Sequence, residues 1–203
     1  MASSISKAFS PNKTDELYTP KILVDPIVKH LRIFYRYWIN RKYMFQRLPM
    51  RKPIILCPFD KEDSEFVIAF SKMNDFELKF GHIDTGQDFF NYDYGEYDVV
   101  ISNPPFSRKK EVLEKLLTEK RSFALIGNAM IINYEEIGRL FAYSRMQILS
   151  FDRRISYNGK PSSFMSCYFC HDFLKQDLMF EMLSNNNAGK NFVPSRMYTR
   201  NCA

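Results

Sequence analysis

The chain is expected to fold as an α/β protein around a mostly parallel sheet with helices on both faces. Three observations carry this expectation. Short apolar runs alternate with amphipathic stretches, and apolar residues at helical spacing separate the runs. Two of the runs, PIILCPF (53–59) and YDVVIS (97–102), also read as strands buried in the sheet.

In order, Pro20 suits the first turn of a helix with Thr19 as its cap, and Ile22, Leu23, Ile27 and Leu31 share one face of it. PIILCPF (53–59) reads as a buried strand. Asp63 or Ser64 then caps a helix over 64–74, with Phe66, Val67 and Phe70 turned inward. FELKFGHI (76–83) is a second strand, 84–88 a turn and 89–97 a loop. YDVVIS (97–102) is a third strand that stops at Asn103-Pro104-Pro105-Phe106, after which Ser107 caps a helix over 108–120. SFALIGN (122–128) is a further strand and 133–145 a further helix. Two strands around Asn158-Gly159-Lys160-Pro161 close the pattern as an antiparallel hairpin at the sheet edge.

This organisation implies one domain over 15–174, a loose polar arm over 1–14 and a tail over 175–203. With 203 residues, the chain is long enough to bury a full core. The first residues carry no apolar signal-peptide core, and no apolar run approaches the ~20 residues a membrane helix needs. Four cysteines without a paired-ligand pattern fit a reduced, cytoplasmic protein. Cys167 and Cys170 have the spacing of a zinc knuckle, but they lie in an apolar strand with no second pair, so they read as small core residues and no metal is expected.

The net charge of +6 suits a polyanionic partner. Residues 29–52 hold eight Lys/Arg and no acid, interleaved with aromatics. That mixture fits a surface for phosphates and stacked bases, with Arg36, Arg41 and Lys42 as candidates; an amphipathic helix with solvated cations fits equally well. Arg153 and Arg154 are further candidates for the nucleic-acid backbone, or simply solvated charge.

Asn103-Pro104-Pro105-Phe106 carries the chemistry. It follows a buried strand, where α/β sheets place their ligands. An exocyclic amine is a poor nucleophile because its lone pair is delocalised into the base. Two acceptors on its protons, the Asn103 side-chain oxygen and the Pro104 carbonyl, would push the nitrogen toward tetrahedral geometry and a methyl donor. Pro104 and Pro105 stiffen the loop, and Phe106 offers a stacking face.

VVISNPPF resembles motif IV of the amino-methyltransferases. The wider pattern of DELYTP, CPFDKEDSEFV, DTGQDFF, SNPPFS and FDRRISYNGKPSSF, spanning Asp15 to Leu174, resembles the adenine-specific methyltransferases of the EcoRI type and their phage relatives. The resemblance implies a Rossmann-like S-adenosylmethionine-dependent methyltransferase fold acting on the N6 amino group of adenine in DNA. It also implies S-adenosylmethionine as cofactor. Tyr18, Thr19 and Pro20 would then neighbour the cofactor, with Pro58, Phe59 and Asp60 against its methionine portion. Asp88 and Phe89 would face its adenine, and Asp84 its ribose.

The chain departs from the pattern in lacking an F-x-G-x-G loop and in the short stretch between Asp60 and Asn103. It shows no target-recognition domain, which leaves specificity to the 29–52 segment, the tail or a protein partner. The alternatives are a methyltransferase acting on RNA or a protein glutamine, and a catalytically silent binding module of the same fold.

Overall fold

The computed structural model describes residues 18–46, 51–157 and 164–183, with 38–46 described by their backbone alone. The expected arm over 1–14, the turn at 158–161 and the end of the tail from 184 lie outside the described residues. The elements are α1 (Lys21–Gln46), β1 (Ile54–Cys57), α2 (Glu65–Phe70), β2 (Glu77–Phe80), β3 (Val99–Ser102), α3 (Lys109–Thr118), β4 (Ser122–Asn128), α4 (Glu135–Tyr143), β5 (Gln147–Phe151), β6 (Ser166–His171) and β7 (Leu178–Glu181), joined by short 3-10 turns.

The sheet order is β2-β1-β3-β4-β6-β5-β7. Every neighbouring pair is parallel except those made by β6, which runs antiparallel to both β4 and β5. The antiparallel pair is therefore present as expected, but β6 is inserted between β4 and β5 rather than added at the edge. The edge is formed by β7, which pairs parallel with β5 and carries the sheet past residue 174. Its four residues alternate exposed and half-buried, a signal too short to separate from loop in the sequence.

The buried runs do the layering. On one face Ile55, Cys57, Val99, Ile101, Ala124, Ile126, Tyr168 and Cys170 pack under α1 and α2. On the other, Leu56, Val100, Phe123, Leu125, Cys167 and Phe169 pack under α3 and α4. Successive strand residues point to opposite faces, so a strand buried on both is apolar, as β1 is throughout and β3 is up to its last residue, Ser102. Cys57, Cys167 and Cys170 are buried free thiols within these cores, and burial raises each above its ordinary pKa. No cluster of potential metal ligands occurs among the described residues. Nor is any described helix long and apolar enough to cross a membrane.

The first helix and residues 29–46 of the basic aromatic segment are one element. The 26 residues of α1 span about 39 Å. Leu23, Ile27, Leu31 and Phe34 face the core, while Arg32 and Arg36 are exposed. Pro26 falls in its second turn and forgoes the bond to the Ile22 carbonyl. Two expected caps are not formed. The Thr19 hydroxyl has no hydrogen-bond partner among the described residues, and Ser107 sits inside a 3-10 turn whose successor, α3, starts with no side-chain cap. Ser64 does cap α2, accepting from the Val67 N–H.

Tyr168 ties α1 to the sheet. Its fully buried hydroxyl donates to the Leu23 carbonyl at 2.9 Å. Tyr168→Phe removes this bond and leaves a buried carbonyl short of a partner, so urea unfolding should show a loss of about 1 kcal/mol.

Candidate functional site

The strand order reverses at β1. The chain passes from β1 outward to β2, then returns to lay β3 against the other side of β1. A crevice opens beyond the carboxyl ends of strands at such a switch point. Here it holds a cavity of about 300 Å³, at the lower end of the range for small-molecule sites.

Each element end contributes. Pro58, Phe59 and Asp60 follow β1, and Ser64 and Phe66 come from the start of α2. His82 and Ile83 follow β2, and Asp88, Phe89 and Phe90 come from the next loop. Asn103, Pro105, Ser107 and Arg108 follow β3, and Tyr18 and Thr19 enter from the start of α1. The sequence-derived candidates Tyr18, Thr19, Pro58, Phe59, Asp60, Asp88, Phe89, Asn103 and Pro105 are thus brought together from four separate segments.

Others stand outside the lining. Pro104 is buried behind it. Pro20 is half-buried at the foot of α1. Phe106 lies beside the cavity, with the Lys109 ammonium 3.9 Å from its ring centroid and Phe164 edge-on at 6.0 Å. Asp84 is exposed at the rim, where Lys61 bonds its carboxylate at 2.6 Å and holds its pKa below the ordinary range.

The basic candidates are not gathered at the cavity. α1 begins beside it, but Phe34 stacks on Phe173 and Tyr35 packs on Phe76, residues that flank the opposite edge of the sheet. Arg36 and the positions of Arg41 and Lys42 therefore lie toward that far edge, and the side chains of Arg41 and Lys42 are outside the described residues. Arg153 and Arg154 follow β5, at the same carboxyl edge as the cavity; Arg153 lies 3.7 Å from Asp152 and Arg154 is exposed.

The aromatic wall is ordered by its neighbours. Phe59 meets Phe89 edge-on at 5.1 Å, and Phe89 meets Phe90 at 5.5 Å. The Arg108 guanidinium lies 3.7 Å from the Phe90 centroid while bonding Glu111. Asp88 closes a turn by accepting from the Phe90 N–H and the Asn91 side chain.

Asp60 is the electrostatic centre. Burial pushes its carboxyl up to about 6, against the opposing pull of hydrogen bonds from Ser102 and Ser64. Ser102, His82 and Arg108 were not singled out by sequence, and Ser64 only as a helix cap. Ser102 and Arg108 flank the Asn-Pro-Pro-Phe motif, so proximity to it was the only available signal.

The residues fit S-adenosylmethionine. A buried carboxylate suits the ammonium of its methionine portion. The Thr19 hydroxyl is buried in the lining with no hydrogen-bond partner among the described residues, as a residue waiting for a polar ligand would be. Apolar rings suit a nucleobase.

Residues 91–165, which include the Asn-Pro-Pro-Phe motif, match the sequence profile of the family described as adenine-specific methyltransferase EcoRI. Among solved structures, one similar to this chain is a Listeria monocytogenes protein described as a class I S-adenosylmethionine-dependent methyltransferase. It is 12% identical, with a TM-score of 0.41, over 89% of this chain and 69% of that one. No curated protein matches the chain.

The doubly wound sheet with its inserted antiparallel strand is the Rossmann-like architecture expected of an S-adenosylmethionine-dependent methyltransferase. The profile match covers the Asn-Pro-Pro-Phe segment that lines this cavity.

Asp60 supplies a stability prediction. Its folded pKa lies above the ordinary carboxylate value, so the folded state holds the extra proton between about 4 and 6, and stability falls as pH rises through that window. Asp60→Asn removes this cost. Its free energy of unfolding in urea should exceed that of the wild type at pH 7.5, by up to about 3 kcal/mol less what the amide loses in hydrogen bonding, and the difference should close toward pH 4.

Proposed function

We propose that this chain transfers a methyl group from S-adenosylmethionine to the N6 amino group of adenine in DNA. The observation that carries the proposal is the position of Asn103. The residue stands directly after β3 at the switch point and lines the same cavity as Asp60, Phe59 and Asp88. A methyl acceptor held by Asn103 therefore adjoins the space the cofactor would fill. The profile match over residues 91–165 favours adenine as the acceptor.

Asp60 holds the cationic end of the cofactor, Thr19 donates or accepts beside it, and the Phe59–Phe89 pair flanks its base. The bound cofactor supplies an electrophilic methyl group on a sulfonium. The Asn103 side-chain oxygen and the Pro104 carbonyl would accept hydrogen bonds from the two N–H groups of the adenine amine, which returns lone-pair density to nitrogen. When bound, the cofactor would supply the methyl group and depart as the neutral thioether, and the proton lost by the amine would pass to solvent. Pro104, buried behind the lining, and Pro105 fix the loop so that this carbonyl does not turn away.

Phe106 provides a face for the target base. One side of its ring is already taken by Lys109, so the base stacks on the opposite side. A base inside a duplex cannot reach a cavity between two layers of the fold, so the adenine is flipped out or already unpaired. Arg153 and Arg154, at the carboxyl edge, meet the backbone of the same strand. Arg36, Arg41 and Lys42 give a more distant, sequence-independent hold on phosphates.

The test is transfer of labelled methyl from S-adenosylmethionine to unmethylated DNA, beside Asn103→Ala. Label should appear as N6-methyladenine, and the variant should lose at least 100-fold in kcat while binding S-adenosylmethionine as the wild type does. A fully active Asn103→Ala variant would contradict the assignment.

A further inference from the structure

The loop after β1 and the loop after β3 are joined by one hydrogen bond. Ser102, the last residue of β3, is fully buried, and its hydroxyl donates to the Asp60 carboxylate. Ser64 donates to the same carboxylate while its own oxygen accepts from the Val67 N–H at 3.2 Å. The Asp60 backbone N–H bonds the Gly81 carbonyl at 3.0 Å, which fixes the residue against the end of β2 as well. Asp60 is thereby held by the ends of β2 and β3 and by the cap of α2, and Asn103 is the next residue after Ser102.

We propose that Ser102 is a positioning residue for methyl transfer, holding the Asp60 carboxylate for the cationic end of the cofactor and, through the same bond, setting the place of Asn103 beside it. The proposal rests on the methyltransferase reading of the cavity. A strand-end serine could be replaced by an apolar residue if filling space were its only task. This one instead supports a carboxylate that is costly to bury and that lines the cavity. Because Ser102 and Asn103 are adjacent on one rigid strand end, a shift that breaks the bond to Asp60 also displaces Asn103.

The groups facing Asp60 are few. The Cys57 thiol of β1 and the Tyr168 phenol of β6 are buried, and burial raises both their pKa values, so both stay neutral around pH 7. Lys61, His82, Asp88 and Arg108 share the cavity lining. Ser102 and Ser64 are the side-chain donors that favour the ionised form.

The test uses the full chain and two readouts. The Asp60 carboxyl titration is followed by carbon-13 NMR without ligand, and S-adenosylmethionine affinity is measured by calorimetry from pH 5 to 8, for the wild type, Ser102→Ala and Ser102→Thr. In the wild type, affinity should fall as pH drops through about 6, where Asp60 gains its proton. Ser102→Ala should move the Asp60 titration to higher pH and weaken binding roughly 10-fold at pH 7, the effect of one lost hydrogen bond to a charged group. Ser102→Thr, which keeps the hydroxyl, should restore both. If the alanine variant does not fold, Ser102→Cys, near-isosteric with a weak donor, takes its place. An unchanged titration and affinity in a folded variant overturn the role of Ser102. A wild type that binds no S-adenosylmethionine, with the Asp60 titration still moved by the variant, overturns the reading of the cavity and the proposal with it.

Discussion

The handedness of strand connections dictates where this protein can do chemistry. A parallel strand–helix–strand crossover is right-handed, so crossovers that travel in opposite directions from the middle of a sheet lay their helices on opposite faces. The connection from β1 to β2 carries α2 to one face, and that from β3 to β4 carries α3 to the other. Between β1 and β3 the loops diverge, and the space they leave is the cavity. The aromatic wall, the buried carboxylate and the Asn103 loop all sit there because their positions follow strand ends on either side of that divergence.

Asp60 shows why a stable fold keeps a destabilising residue. A carboxylate so buried that its pKa is raised to about 6 costs stability at neutral pH, and Ser64 and Ser102 only partly offset the cost. Such a group is retained where a cation completes it. The unpartnered Thr19 hydroxyl in the same lining is a second polar group left incomplete by the protein alone. Together they describe a cavity shaped for a ligand with both a charged and a hydrogen-bonding end.

Much of this was legible in the sequence, for identifiable reasons. β1, β3 and β4 are apolar on both faces, and continuous apolar runs advertise such strands. The Asn103 loop was legible because two prolines after a buried strand are rarely without purpose. The position of β6 was not, since local pattern gives strand identity but not neighbour order, and its insertion between β4 and β5 depends on pairing across the whole sheet. β7 was missed because four half-exposed residues carry no period. The direction in which the basic 29–52 segment runs was not legible either. Its charges are visible in sequence, but only the length of α1 reveals that its basic end lies toward the sheet edge opposite the cavity. Thr19 was expected to cap α1; its hydroxyl lines the cavity instead.

The central claim is that the cavity at the β1–β3 divergence is the cofactor site. Ultraviolet cross-linking of methyl-labelled S-adenosylmethionine to the full chain, followed by peptide mapping, tests it directly. Label should concentrate on the peptides holding Pro58–Asp60 and Asp88–Phe90 and be displaced by unlabelled S-adenosylhomocysteine. Displaceable label concentrated on α4 or β7, or no displaceable label at all, would contradict the account.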